Sequence, residues 1–263
     1  MHDEHVLLQV TEGVACLTLN RPERKNAFLP ATIDLLAETI ERCASREDVR
    51  VIVLTGAGDA FCSGADIGAM NQRQERTALQ RKNDLTNGVH RVLRAFAATD
   101  KPLIAAVNGV AVGAGLDFAL MCDLIYMADT ARVGETYVRM GLFPGAGSTW
   151  SLPRRIGYGK ALELFWTGAL IDAQEAERIG LADRVLPVAE LMPFVHKRAA
   201  EIAANAPLSV RYMKRAVQQG QNKGLVESLD FISSQLAILA SSLDHREATE
   251  AFVQKRRPIF KGE

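Results

Sequence analysis

Short apolar runs alternate with helical patterns along the first part of the chain, and glycine-rich turns sit at the junctions. Residues 51–54, 103–107 and 124–127 are aliphatic-rich stretches of strand length, as expected of buried strands. Residues 5–10 and 14–19, separated by Glu12-Gly13, read as a hairpin. Residues 30–43 read as a helix, with Ile33, Leu36, Ile40 and Cys43 on one face and Pro30 in the first turn. Residues 74–99 are polar at first, then place Val89, Val92, Leu93 and Phe96 on one helical face until Lys101-Pro102 intervenes. Residues 113–121 read as a helix leaving a glycine-rich turn. Beyond Gly159 the signals are all helical, with capping-box patterns at Asp172-Ala173-Gln174-Glu175 and Asp244-His245-Arg246-Glu247, and Gly180 suited to a helix end. This order predicts an α/β layered core of about 180 residues with an appended helical segment. The division is expected between residues 1–190 and 191–263.

Charge narrows the partners. Lys+Arg and Asp+Glu are both 31, so the formal net charge is zero. Binding to a phosphate backbone or an anionic membrane by bulk charge needs an excess of Lys and Arg, so neither nucleic acid nor a membrane is expected as a partner. No apolar run reaches the ~20 residues of a membrane helix. The start, Met1-His2-Asp3-Glu4-His5, has the features of neither a secretory nor a transit segment, and a cytoplasmic protein is expected. Four scattered cysteines without CxxC spacing read as reduced thiols. The charge is unevenly spread. Arg21, Arg24 and Lys25 face only Glu23, and Lys255, Arg256, Arg257 and Lys261 face only Glu263. Two local basic patches in a neutral chain suit a small anionic ligand.

The glycines gather at three places: Phe61-Cys62-Ser63-Gly64-Ala65-Asp66-Ile67, Asn108-Gly109 through Gly113-Ala114-Gly115-Leu116-Asp117, and Gly141-Leu142-Phe143-Pro144-Gly145-Ala146-Gly147-Ser148-Thr149. The first two follow a strand and lead towards a helix. Glycine there lets backbone approach a ligand, and the first N–H groups of the helix are free to bind an oxygen anion. The same glycines also suit tight turns with no ligand, and spacing alone does not choose. Other sites fit poorly. Phe61 stands where a dinucleotide fingerprint needs its third glycine, and neither a P-loop nor a GxSxG elbow occurs. The five histidines lack metal-ligand spacing, and no metal or separate cofactor is expected; His90 and His196 read as surface or packed residues.

Taken in order, a larger set of motifs resembles the enoyl-CoA hydratase/isomerase (crotonase) family from about Gly13 to Phe260. The matching pieces are Arg21-Pro22 with Lys25-Asn26-Ala27, the Phe61 to Ile67 cluster, and Lys101-Pro102-Leu103-Ile104-Ala105-Ala106-Val107-Asn108-Gly109. They continue with Gly113-Ala114-Gly115, Cys122-Asp123, Gly141 with Pro144-Gly145-Ala146-Gly147-Ser148-Thr149, and Thr167-Gly168 with Asp172-Ala173 and Ala176. The resemblance implies a crotonase-like α/β spiral of ββα turns with a C-terminal helical trimerisation region, hence a homotrimer or a hexamer. It implies an acyl-CoA thioester as substrate, with coenzyme A part of that substrate. By motif position the thioester oxygen would sit on the N–H groups of Ala65 and Ala114, where charge develops on an enolate. CoA contacts would fall at Arg24, Lys25 and Ala27, around Ala65, Asp66 and Ile67, and at Phe260 and Lys261 for the adenine end.

The acid/base positions depart from the family pattern. Hydratases of this family carry two glutamates; the corresponding positions here are Asp117 and Tyr137. Asp117 is one methylene shorter, and a tyrosine with an ordinary pKa of about 10 is a donor, a weak acid or a polar wall rather than a base. Glu135 shares a face with Tyr137 if that segment is extended, and stands in for the missing acid; if the segment is helical it does not. The run from Tyr137 to Arg154 also resembles phenylacetate-pathway ring-epoxide isomerases, which place an aspartate where this chain has Gly145. Asp117, Tyr137 and Glu135 are therefore the candidate catalytic side chains. Asp66 reads as a residue ordering its loop, Asp123 as structural, and Trp150 as core or pocket lining. Hydration of a 2-enoyl-CoA in fatty-acid or aromatic-acid degradation is the leading expectation. Double-bond or ring isomerisation and an acyl-CoA binder without catalysis are the alternatives, and acyl-CoA hydrolysis or dehalogenation lacks a placed nucleophile.

Overall fold

The computed structural model describes residues 5–68 and 76–263. Chain order is set by strands that divide between two sheets. β1 (Val6–Thr11) and β2 (Val14–Leu19) form the expected antiparallel hairpin, turned by Glu12 and Gly13 at φ 49° and 82°. β2 then pairs in parallel with β3 (Val51–Gly56), followed by β5 (Leu103–Val107), β7 (Leu124–Ala128) and β10 (Arg184–Leu186), in the order β1-β2-β3-β5-β7-β10. Every residue of β3 and β5 is buried, as continuous apolar runs in a parallel sheet require. A second sheet has the order β4-β6-β8-β9, from β4 (Ala60–Cys62), β6 (Val110–Val112), β8 (Arg132–Gly134) and β9 (Ile171–Asp172).

Among the described residues β3, β5 and β7 are each followed by a short strand of the second sheet, β4, β6 and β8, and then by a helix, which is the ββα spiral. Helix α1 (Pro30–Ser45) buries Ile33, Leu36, Ala37, Ile40 and Cys43, as its spacing predicts. The expected helical stretch over 74–99 is two helices, α2 (Ala78–Asn87) and α3 (Val89–Ala98), broken at Gly88; Gln74 and Glu75 lie outside the described residues. Helix α4 (Ala114–Leu120) follows β6, and α5 (Ser148–Ile156) follows β8 after a short 3-10 turn at Thr136–Met140. Then come α6 (Tyr158–Thr167), α7 (Ala173–Arg178), α8 (Val188–Ala203), α9 (Pro207–Gly220), α10 (Leu225–Ala240) and α11 (Leu243–Gln254).

Three expectations change. The region beyond Gly159 is not wholly helical: β9 and β10 extend the two sheets, and both are too short to leave a sequence period. The division at 190/191 falls inside α8, whose Leu191, Val195, Ala199 and Ala203 are buried with the core, so the compact unit runs through Ala203. The helical region beyond it is tied back by ion pairs of Arg211 and Arg215 with Asp100 and of Lys214 with Asp123. The cap of α11 is Ser242, which accepts from His245 N–H; Asp244 instead accepts from the N–H groups of Lys261 and Gly262, and Glu247 pairs with Arg256. No helix among the described residues is long and apolar enough to cross a membrane. The four cysteines are free, three of them buried.

The glycine at the start of α4 is a packing requirement. A Cβ on Gly115 would stand 2.1 Å from the carbonyl oxygen of Cys62. Because that neighbour is backbone, Gly115→Ala is expected to destabilise the fold by roughly 2 kcal/mol or more, read as a lower urea midpoint with an unchanged slope.

Candidate active site

Two loops at the carboxyl ends of the long strands are held by side-chain amides, one buried and one half-buried. Asn26, left-handed at φ 56° and only 2% exposed, donates to the carbonyls of Ala57 and Ala60 and accepts from Arg21 N–H. Asn108 accepts from Gly56 N–H and donates to the Gly56 and Gly58 carbonyls. These bonds clamp residues 21–28 against residues 57–66. Phe28 then forms a parallel bridge with Ala65: its N–H donates to Gly64 O, and its carbonyl accepts from Asp66 N–H. In such a bridge the N–H of Ala65 itself points away from Phe28.

Ala114 is the first residue of α4, where an N–H has no partner within the helix. Among the described residues neither the Ala65 nor the Ala114 N–H has an acceptor. The loops that carry them touch: a Cβ on Gly64, which sits at φ +86°, would stand 3.7 Å from Ala114 N. Two free N–H groups from adjoining loops, one at a helix start, are what an oxygen anion requires.

Asp117 lies one turn along α4 and is wholly buried. Its Oδ2 accepts from the Tyr137 hydroxyl at 2.6 Å, while Oδ1 has no partner. Glu135 sits at the bend between β8 and the 3-10 turn and is 1% exposed, with neither carboxyl oxygen partnered. The bend decides the question that an extended or helical segment left open: Glu135 and Tyr137 both reach the Asp117 carboxyl, one by charge and one by hydrogen bond. Ser148, the buried first residue of α5, lies against both carboxyls and eases their ionisation, but closes a hydrogen bond of ordinary geometry with neither.

Burial dominates the protonation of this cluster. It pushes the Asp117 carboxyl from 3.8 to about 6, against smaller lowering by the neighbouring Ser148 and by the Tyr137 hydrogen bond. Burial and then the Asp117 charge hold the Glu135 carboxyl well above its usual range. The Tyr137 phenol is pushed up by burial and both acids, so it stays a donor. Burial and the Asp117 charge thus both favour the protonated form of Glu135, while the Tyr137 hydrogen bond supports the ionised form of Asp117. That is a base and an acid side by side, away from water.

The other expected residues fall in different places. Arg24 and Lys25 are exposed at the mouth of the clamped loop, with Lys25 in an exposed ion pair with Asp59 at 2.5 Å. Such a pair gives way easily to a phosphate. Ala27 is buried beneath them and Ile67 is exposed beside Ala65. Asp66 pairs with Arg21 at 3.3 Å and caps Gly68 N–H, ordering its loop as expected. Phe260 and Lys261 are not brought to this site within one chain. The Phe260 carbonyl accepts from Arg50, which precedes β3, whereas the site lies beyond the far end of that strand. Six residues of strand separate the two by about 20 Å. Trp150 is half exposed under the Arg154 guanidinium rather than core or lining, and His90 bonds the Gly145 carbonyl at 2.8 Å. No cluster of three metal-ligating side chains occurs among the described residues. Ser148, Asn26 and Asn108 were visible in the sequence only as members of turns; a hydroxyl following two glycines at a helix start is the signal that marks Ser148.

Comparison with known proteins places this geometry. Residues 9–263 match the family described as enoyl-CoA hydratase/isomerase. The crotonyl-CoA hydratase of Syntrophomonas wolfei is 34% identical over 258 residues, covering 98% of each chain. The 2,3-dehydroadipyl-CoA hydratase of Escherichia coli is 36% identical, covering 95% of this chain and 96% of its own. The crystal structure of an enoyl-CoA hydratase from Bacillus anthracis superposes with a TM-score of 0.92 at 33% identity, over 98% of this chain and all of the other.

The buried acids carry a stability cost with a definite sign. Because the folded state keeps the Asp117 proton to about pH 6 and the unfolded chain loses it near 3.8, stability falls as pH rises through that window and stays lowered above it. Asp117→Asn removes this penalty, worth about 3 kcal/mol. The variant is expected to melt several degrees above the parent at pH 7.5, with the advantage vanishing near pH 4, in thermal unfolding followed by circular dichroism. An unchanged melting temperature at pH 7.5 contradicts the raised ionisation of Asp117.

Proposed function

The chain belongs to the enoyl-CoA hydratase/isomerase family, and we propose that within it the protein adds water across the 2,3 double bond of an enoyl-CoA thioester. The observation that carries this reading is a second carboxyl, Glu135, buried with both oxygens unpartnered and raised by the Asp117 charge, where motif position alone offers only Tyr137. Hydration needs one group to take a proton from water and another to give one to carbon. In this reading the thioester oxygen rests on the N–H groups of Ala65 and Ala114. Ionised Asp117 takes a proton from water as its oxygen bonds to the β-carbon, and the π electrons move to the thioester oxygen as an enolate. The enolate re-forms the carbonyl as the α-carbon takes the Glu135 proton. Tyr137 holds Oδ2 of Asp117 and leaves Oδ1 to the water. The CoA phosphates fall to Arg24 and Lys25. That same Tyr137 bond favours one second reading: a carboxylate with a single working oxygen is enough for a double-bond shift.

Assembly follows from surface. Leu225, Leu229, Ile232 and Leu236 form one stripe of α10, and all are exposed on the single chain. A homotrimer, alone or doubled into a hexamer, would cover such a stripe. It would also let Phe260 and Lys261 serve the CoA of a neighbouring copy, since they lie far from the site of their own.

Crotonyl-CoA hydration and 3-enoyl-CoA isomerisation, assayed side by side, test the activity. Asp117→Asn and Glu135→Gln are each expected to lower kcat for hydration about 100-fold or more. Full hydration by Glu135→Gln sinks the paired-acid mechanism, isomerisation without hydration selects the second reading, and acyl-CoA binding with no turnover selects a binder. Light scattering after gel filtration is expected to give three or six chain masses, falling towards one for the double variant Leu229→Asp, Leu236→Asp.

A further inference from the structure

Among the described residues the buried side-chain atoms without a hydrogen-bond partner are Asp117 Oδ1, both carboxyl oxygens of Glu135, and Ser148 Oγ. All four belong to one cluster. Every other buried polar side chain, Asn26 and Lys101 among them, is satisfied. Leaving such atoms unpaired is costly, and a concentration of them at one point needs a reason.

The hydratase mechanism proposed above leaves a problem that these atoms answer. After one turnover the water proton sits on Asp117 and the Glu135 proton has gone to carbon. The pair still holds one proton, but on the wrong partner. Asp117 and Glu135 are 0% and 1% exposed, so beyond the water that enters as substrate, bulk solvent does not reach them directly to exchange it. Tyr137 cannot return it, because its hydroxyl is committed to Asp117 Oδ2 and closes no hydrogen bond to Glu135. Ser148 lies against both acids. A hydroxyl has one proton to donate and lone pairs to accept, so it can bond both members of a singly protonated pair at once.

We infer that Ser148 is a positioning residue that relays the proton from Asp117 back to Glu135 and so resets the pair between turnovers. In the relay the Asp117 O–H bond breaks as a new O–H forms on Ser148 Oγ. The original Ser148 O–H breaks as its proton passes to Glu135. One proton moves in net, Ser148 ends as it began, and the charge of the pair does not change. The inference rests on the hydratase reading.

Its signature is a difference between the first turnover and those that follow. With crotonyl-CoA and the full-length protein, Ser148→Ala is expected to complete the first turnover at nearly the parent rate. Product should then appear as a burst of about one equivalent per site, followed by a steady rate about 10- to 100-fold slower, with KM changed less than about twofold. Ser148→Gly should do the same, and Ser148→Thr, which restores the hydroxyl, should recover the steady rate; melting temperatures establish that the variants are folded. The relay is overturned if the hydroxyl-free variants keep the parent steady rate. It is also overturned if first and later turnovers slow equally, which marks Ser148 as merely structural. Failure of the reading beneath it looks different: the parent then hydrates no substrate, or Glu135→Gln hydrates as well as the parent.

Discussion

Close approach of backbone to backbone at the carboxyl ends of β3 and β5 is the constraint on which the rest of the molecule turns. Helix α4 begins against the carbonyl of Cys62, a contact only glycine at position 115 permits. Buried Asn26 and half-buried Asn108 fix the opposing loops with amide hydrogen bonds, each satisfied on both its donor and acceptor sides. A buried amide left half-paired would cost more than it contributes, so these loops have one arrangement rather than several. The two unpaired N–H groups of Ala65 and Ala114 are a by-product of that arrangement. Ala65 turns its N–H outward because its neighbours are occupied by Phe28, and Ala114 is exposed as a donor because α4 can start nowhere else.

Fixing the start of α4 also fixes where its first turn is buried. Asp117 stands one turn in, under the second sheet, with Glu135 and Ser148 delivered by the ends of β8 and α5. Desolvation then does what sequence position does not: it raises both carboxyls, Asp117 to about 6 and Glu135 well above its usual range. The low polarity that makes the pair useful also makes it a burden on the fold, as sites under functional constraint commonly are.

How much of this was legible in the sequence depended on the length of each signal. β3, β5, β7 and α1 were readable because a run of apolar residues, or a repeat at three and four, has room to show itself. β4, β6 and β8 were not, since three residues have no period and their pairing is a tertiary fact. Ala65 and Ala114 could be reached through motif order, and the structure leaves both N–H groups free. The relation of Glu135 to Tyr137 could not be settled, because both the extended and the helical alternatives assumed a regular segment, and the chain bends there instead. Phe260 and Lys261 were grouped with Arg24 and Lys25 through the family resemblance, and motif position carries no information about which end of a strand a residue packs against within one chain. Ser148 was passed over because a serine after glycines is an ordinary turn residue until the acids around it are in place.

The replacement of a glutamate by Tyr137 therefore does not empty the site of chemistry; it redistributes it. Two adjacent buried carboxylates without a cation repel, and one of them has to hold a proton for the fold to tolerate both. With a phenol donating to one oxygen of Asp117, the ionised state of that acid is supported and its orientation fixed. The proton then belongs to Glu135, which reaches the same point from the bend two residues upstream. A carboxyl at position 117 that is a methylene shorter is compatible with this, because the tyrosine hydroxyl reaches its Oδ2 at 2.6 Å. What the site loses in symmetry it gains in definition. The two acids no longer have interchangeable roles, and each begins a reaction in the protonation state its own surroundings impose.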